Sequence, residues 1–274
     1  SDPRLDPARD LRMWEEDGVL IGFGQLWPLA TSEELNGRLM LWVRPEMRGN
    51  GLEVQIIDWA GDLTRSLARE QGLPARLRYH IREDQAEWHT LLQSLGFEID
   101  RYSYTMTRSL AEPIAAPHVP EGFVIREVAG THEAQQWVEM FNQSFVDHPG
   151  SSVWKVEQAL HFMEEPGYRQ DLNTVAVAAD GTFAGFCWAT IYAEQNARSG
   201  HQVGEIDVLG TRRGFRNLGL GRALLIEGMR RLKAAGMETA RLGVIADNPT
   251  GALKLYESAG FERLHTWVRY SRDV

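Results

Sequence analysis

Arg212-Arg213-Gly214-Phe215-Arg216-Asn217-Leu218-Gly219-Leu220-Gly221-Arg222-Ala223-Leu224-Leu225 runs from an apolar strand candidate, Val203 to Leu209, into a helical pattern. In that helix Leu225, Met229 and Leu232 fall at i, i+4 and i+7, on one face, and Gly236 is its natural stop. Gly219 and Gly221 let the backbone approach a ligand closely. The first N–H groups of a helix have no partner within it, and the helix dipole favours an anion there. A pyrophosphate fits such a cradle; glycines that only turn or pack give the same pattern. From Arg198 to Arg241 nine Lys/Arg face four Asp/Glu, a local +5 inside a chain of net charge −9. That excess suits a polyanion, although Arg230, Arg231 and Lys233 read as a solvated helix face.

Working outward, Phe123-Val124-Ile125 is a strand candidate, followed by helical stretches around His132 to Phe145 and Val153 to Glu164. Val175 to Ala179 and Phe183 to Thr190 flank Asp180-Gly181, a hairpin signal. After the glycine loop and its helix, Arg241 to Ala246 reads as a strand. Asn248-Pro249 opens a further helix, with Asn as N-cap and Pro pre-setting the first turn. Gly260 closes that helix, and Phe261 to Leu264 and Thr266 to Ser271 are the final strands. The order β-α-α-β-β-β-α-β-α-β-β predicts an α/β (α+β layered) fold, a mixed sheet with helices on its faces.

The other half of the chain repeats this pattern. Asp17-Gly18 with Gly22-Phe23 recurs as Asp180-Gly181 with Gly185-Phe186; Arg48, Gly51 and Leu52 recur as Arg216, Gly219 and Leu220; Leu91, Ser94 and Gly96-Phe97 recur as Leu255, Ser258 and Gly260-Phe261. Three pairs in one order at nearly constant offset point to duplication. Pro113, Pro117 and Pro120 mark an extended seam between the copies. The expected division is a degenerate first domain (1–112), a linker (113–121) and a catalytic second domain (122–274). The first copy is incomplete at its N-terminus, or the chain has been trimmed there; it opens on Ser1.

At 274 residues, with 43% hydrophobic and 24% charged residues, the composition is that of a globular protein with room for two domains. The acidic balance argues against a nucleic-acid coat. A single cysteine, Cys187, excludes an internal disulfide framework and a cysteine-built metal cluster. No apolar run approaches a bilayer span, and SDPRLDPARD lacks the apolar core of a secretory signal. A cytoplasmic protein without metal, membrane or nucleic-acid partners, monomeric or homodimeric, is expected.

With Arg216-x-x-Gly219-x-Gly221, Asn248, Leu255-Tyr256 and Gly260-Phe261 in view, the chain resembles the GNAT superfamily of N-acetyltransferases, completely over 123–274 and in part over 10–110. Within it the chain is similar to the tandem-domain mycothiol synthase family, whose active domain carries Gly-Glu at the Gly204-Glu205 position. The resemblance implies two tandem GNAT-like domains, each a mixed central sheet flanked by helices, and acetyl-CoA as cosubstrate. It also implies that Arg216, Asn217, Leu218, Gly219, Leu220, Gly221 and Arg222 hold the pyrophosphate. The backbone of Leu209, Gly210 and Thr211 then meets the acetyl and pantetheine end, with Asn248, Gly251 and Lys254 nearby. Tyr256 is implied as the general acid for the thiolate, against the plain reading of a core tyrosine beside Leu253. The expected reaction is direct transfer of acetyl to a primary amine in a ternary complex.

The amine must lose a proton first. Glu205 and Asp207, two residues apart on one strand, share a face. A solvated acidic pair is the bland account, but in a central strand an unpaired carboxylate is costly. Glu205 is the candidate base, directly or through water, with Asp207 as backup or amine anchor. An acyl-cysteine on Cys187 is the rival mechanism; flanked by Phe186 and Trp188, it reads better as a buried thiol. The acceptor cleft is expected between Phe145–Gly150 and Tyr192–Gln195. There Asp147, His148 and Glu194 suit an amino sugar, aminoglycoside or amino-acid conjugate, though ordinary loop polarity explains them equally.

The first copy departs from the pattern. Glu53 stands in the last position of its loop, Leu92 in that of Tyr256, Asp84 in that of Asn248 and Gly37 in that of Glu205. A catalytically silent copy is expected, supporting the active half or shaping its acceptor cleft. The resemblance allows CoA near Leu41 to Val43, which Glu53 disfavours. Trp14, Trp27, Trp42, Trp59 and Trp88 read as core or interdomain surface. Two other readings stand beside the enzyme: a non-catalytic CoA-binding scaffold, and a dinucleotide enzyme. The second fares worse, because no strand-end acid follows the loop by about 20 residues.

Overall fold

The computed structural model describes residues 5–31, 33–147, 153–165, 168–248 and 251–274, so the candidates His148, Pro149, Gly150 and Pro249 lie outside the described residues. Contacts divide the chain into two units, Ser1–Ser103 with Thr266–Val274, and Tyr104–His265.

In the first unit a short helix α1 (Pro7–Asp10) leads into strands β1 (Leu11–Glu16) and β2 (Val19–Ala30), joined at Asp17-Gly18. Both turn residues have positive φ, 50° and 75°, the twist a two-residue hairpin needs. Then come β3 (Leu35–Val43), helix α2 (Leu52–Gln71), β4 (Ala75–Arg82), α3 (Ala86–Ser94) and the start of β5 (Glu98–Ser109). β1, β2 and β3 are antiparallel neighbours and β3 is parallel to β4. Ile56, Ile57 and Ala60 of α2 close the core over Leu26, Leu39, Leu77 and Ile81. Trp14, Trp59 and Trp88 pack against that core, whereas Trp42 is exposed and Trp27 lines a cleft.

The second unit runs β6 (Phe123–Glu127), α4 (Ala134–Phe145), α5 (Val156–Glu164), β7 (Asn173–Ala178), β8 (Phe183–Thr190), α6 (Ala193–Ser199), β9 (Val203–Thr211), α7 (Leu220–Ala234), β10 (Thr239–Ile245) and α8 (Ala252–Ser258). Strands β6 to β9 are antiparallel in sequence order, and β9 is parallel to β10. Leu224, Leu225, Met229 and Leu232 of α7 are buried with Ala184, Cys187 and Ile206 of the sheet. On α4, Trp137 and Phe141 stack 5.2 Å apart and meet Phe186 and Trp154. No helix among the described residues is long and apolar enough to cross a membrane.

Four expectations change. Helix α6 was not foreseen. Helix α8 starts at Ala252 with Gly251, in the left-handed region, as N-cap, not at Asn248. The two final strands are one, β11 (Glu262–Asp273), whose Trp267–Asp273 pairs antiparallel with β4 of the first unit. Finally, the solvated face of α7 holds only in part: Arg230 and Lys233 are exposed, donating to the carbonyls of Ile114 and of Ala111 and Glu112, whereas Arg231 is half-buried and bridges Glu127 and Glu227.

The repeat is visible in backbone angles. Gly51 (φ 88°, ψ −1°) and Gly219 (φ 91°, ψ −4°) are equivalent N-caps at an offset of 168. Arg48 Nε donates to Val43 O (3.2 Å) as Arg216 Nε donates to Thr211 O (3.3 Å). Upstream the offset falls to 167, because β9 carries a bulge at Asp207, between the pairs Trp188↔Val208 and Ala189↔Ile206, that β3 lacks. Gly37 and Gly204 mark this register: a Cβ on either would collide with the facing helix residue, Thr64 or Leu232. The counterpart of Glu205 is therefore Arg38, not Gly37.

Candidate active site

Strands β9 and β10 pair in parallel only from Val203↔Thr239 to Ile206↔Leu242; beyond that they separate. The bulge at Asp207 marks the same level on the other side of β9. A cleft of about 750 Å³ opens in the gap, bounded by Val208–Thr211 on one side and Gly243–Ile245 on the other. Separation leaves main-chain N–H and C=O groups facing the cleft instead of each other, which is affordable only where a ligand or water satisfies them.

The glycine loop closes one end. Asn217 (φ 63°) and Gly219 (φ 91°) hold left-handed conformations that turn the chain sharply into α7. The Ala223 N–H is the first to bond within the helix, to Gly219 O at 3.1 Å, so the preceding amides stand at a helix N-terminus that attracts anions. At Gly221 a Cβ would make only ordinary contacts, 3.5 Å from Thr211 Oγ1. The missing side chain therefore leaves room in the cleft rather than relieving a clash. Arg216 anchors the loop: besides Thr211 O it donates to Ser144 O (2.9 Å) and to Asp147 (2.7 Å). Asp147 also pairs with Arg213, and these two guanidinium groups hold its carboxyl below the usual range. The aspartate expected on the acceptor side thus sits beside the anion loop.

Carboxylates gather at the other end of β9. Glu205 is ion-paired with Arg241, its direct cross-strand neighbour on β10. Asp207 is exposed to the cleft and ringed by protein polar groups; Tyr192 donates to it at 3.3 Å and Thr190 supports it. Desolvation, reinforced by Glu205, raises its pKa against the opposing effect of those two hydroxyls. Tyr192 is pushed up to about 12, by burial and then by Asp207. Glu194 lies on the surface, paired with Arg198, and is not part of the cleft lining.

Tyr256 lines the cleft from α8 while its ring is buried in the core, 6.1 Å from Phe261. Burial lifts its pKa well above the ordinary phenol value, so it stays protonated at neutral pH. Cys187 is fully buried, absent from the cleft lining, and pushed up to about 12 by desolvation.

Of the residues singled out from sequence, the cleft brings together Asp207, Leu209, Gly210, Thr211, Arg216, Asn217, Gly219, Leu220, Gly221, Arg222, Asn248, Gly251 and Tyr256. Glu205, Leu218 and Lys254 stand outside its lining; Leu218 is exposed. Sequence reasoning missed Ser144, Gly243–Ile245, Arg241 and Thr190. Nothing local marks them, since each matters only through where two strands separate or pair.

The sequence profile of the Acetyltransferase (GNAT) family matches residues 134–261. A mycothiol acetyltransferase of Thermobispora bispora is 32% identical over 97% of this chain and 84% of that protein. One of Acidothermus cellulolyticus is 29% identical over 96% and 80%. Among solved structures, a GCN5-related N-acetyltransferase from Sphaerobacter thermophilus has a TM-score of 0.78 at 23% identity, covering 99% of this chain and 82% of its own. A tandem GNAT protein from the clavulanic acid biosynthesis pathway has 0.71 at 16%, covering 96% and 83%.

Proposed function

The chain belongs to the GNAT family of acetyltransferases, and from that premise we propose that its second unit moves an acetyl group from acetyl-CoA to a primary amine of a small molecule, by direct attack with both substrates bound. The observation that carries this reading is the gap between β9 and β10, with an anion-binding loop at one end and carboxylates at the other. The residues fit the cosubstrate: the helix-start amides of the Asn217–Arg222 turn, without backbone partners among the described residues, suit a diphosphate, and the edges of Val208–Gly210 and Gly243–Ile245 that face the gap suit an amide-bearing arm.

Acetyl-CoA supplies the activated acetyl thioester. The chain supplies the proton traffic. Asp207 takes the ammonium proton at its carboxylate, because desolvation favours its protonated form and its side chain opens on the cleft. Glu205, outside the lining, neutralises Arg241 and so keeps that cation from repelling the ammonium. The Leu209 main-chain N–H, on the side of β9 that faces the gap, polarises the acetyl carbonyl. The Tyr256 hydroxyl gives its proton to the departing sulfur, and the proton then lost by the amide nitrogen returns, through water, to the tyrosinate. A thiol as deeply buried and as weakly acidic as that of Cys187 has no part in the transfer.

We further read the chain as a duplication, with copies at 1–112 and 122–274 joined by 113–121. The first copy is silent, since Glu53, Leu92 and Arg38 stand for Gly221, Tyr256 and Glu205.

Calorimetry with acetyl-CoA, followed by thiol-release assays over an amine panel headed by acceptors of the mycothiol series, tests the proposal. Binding with release on at least one amine is expected. Binding without release on any amine would favour a CoA-binding scaffold instead.

A further inference from the structure

The first unit has a strand gap of its own. Strands β3 and β4 pair in parallel from Leu35↔Ala75 to Arg38↔Arg78 and then part. A cleft of about 610 Å³ lies there, bordered by Leu39–Leu41, with Trp27, Tyr79 and Trp267 as aromatic walls. This is the size of a small-molecule pocket.

Its chemistry is the inverse of the second unit's. The register that matches Glu205 with Arg38 also matches Arg241 with Arg78, and the bulge that supplies Asp207 is missing. Both carboxylates of the acceptor end are therefore replaced, one by a guanidinium and one by nothing. Arg38 is the one charged residue of the lining, since burial and the nearby Arg38, Arg269 and Arg78 hold His80 down to about 4 and hence neutral. Among the described residues no carboxylate pairs with Arg38; its guanidinium lies over the Trp27 ring, 6.0 Å from the centroid. A cation without a counter-ion beside aromatic walls selects an anion with an apolar body.

The neighbouring loop argues against CoA as the occupant. Glu53 is buried and accepts from the Gly49 N–H at 3.1 Å. Gly49 is the counterpart of Asn217, so the first unit's anion position is filled by its own carboxylate.

We propose that the cleft between β3 and β4 is a second ligand site, built for a small carboxylate with a flat apolar body, and that Arg38 is its anion-binding residue. The site is independent of acetyl transfer by the second unit.

The test is calorimetric titration of the full chain with benzoate, phenylacetate and indole-3-acetate, using neutral phenylacetamide as control. At least one acid binds saturably, and at least tenfold more tightly than the amide. Arg38→Gln weakens that acid at least tenfold, Arg38→Lys less so, and both variants keep the acetyl-CoA affinity and melting temperature of the parent. Absence of binding by all three acids in the millimolar range, equal binding of the amide, or undiminished binding to Arg38→Gln would each overturn the proposal. Acetyl-CoA titration of the same samples keeps this result separate from any failure of the acetyltransferase reading.

Discussion

Replacing the Asp207 carboxylate by an amide removes the one acid that both lines the cleft and is shifted toward proton acceptance. Asp207→Asn is expected to lower kcat/KM by about 10²- to 10⁴-fold, the range of a lost general base, and to flatten the acidic limb of the pH–rate profile. Glu205→Gln frees Arg241 and weakens amine attraction, so it raises KM more than it lowers kcat; steady-state kinetics at several pH values separate the two. Tyr256→Phe keeps the buried ring and loses only the hydroxyl. Turnover falls by about 10²-fold with acetyl-CoA affinity unchanged in calorimetry. In the first unit, His80 gives a stability signature instead. Its folded pKa, about 4, lies below the unfolded value near 6.5. The stabilisation it confers is present above pH 6.5 and is lost as pH falls toward 4. Partial exposure limits it to about 1–3 kcal/mol. Urea midpoints should drop between pH 7 and pH 4 in the parent, and by less in His80→Gln.

The two glycine loops are one element in two chemical states. Their backbones share φ and ψ at Gly51 and Gly219 to within a few degrees, yet one is closed by Glu53 and the other is open at Gly221. Gly221→Glu transplants the closing carboxylate. Because a Cβ at 221 meets nothing closer than 3.5 Å, the variant keeps its melting temperature and loses acetyl-CoA binding; retained affinity in calorimetry would show that Glu53 does not close its own loop. This loop was legible in the sequence because glycine spacing and helix periodicity are local properties. Its arginine was not: Arg216 read as a phosphate ligand, while its guanidinium is spent on Thr211 O, Ser144 O and Asp147. The bulge at Asp207 was equally hidden. One inserted residue shifts every upstream partner, which is why a constant offset matched Glu205 with Gly37 although the strand register makes Arg38 its counterpart in the repeat.

At the scale of the whole chain, duplication was visible in motif spacing, but ownership of the last strand was not. Alternation in Val268 and Tyr270 announces a half-buried strand without saying which sheet it joins. Thr266–Val274 belongs to the first unit, where Val268 and Tyr270 are 1% and 0% exposed and pair with β4. A cut at the sequence repeat, giving a fragment 1–112, therefore removes two core side chains and leaves the β4 edge unpaired. Losing buried side chains costs about 2–5 kcal/mol each, against a total stability of about 5–15 kcal/mol for a domain. An exposed strand edge adds a route to aggregation. Fragment 1–112 should lack a cooperative unfolding transition by circular dichroism, and a peptide of residues 262–274 added in excess should restore one by pairing with β4. A cooperative transition in the fragment alone would mean that the last strand is dispensable to the first unit's core, contrary to the burial of Tyr270.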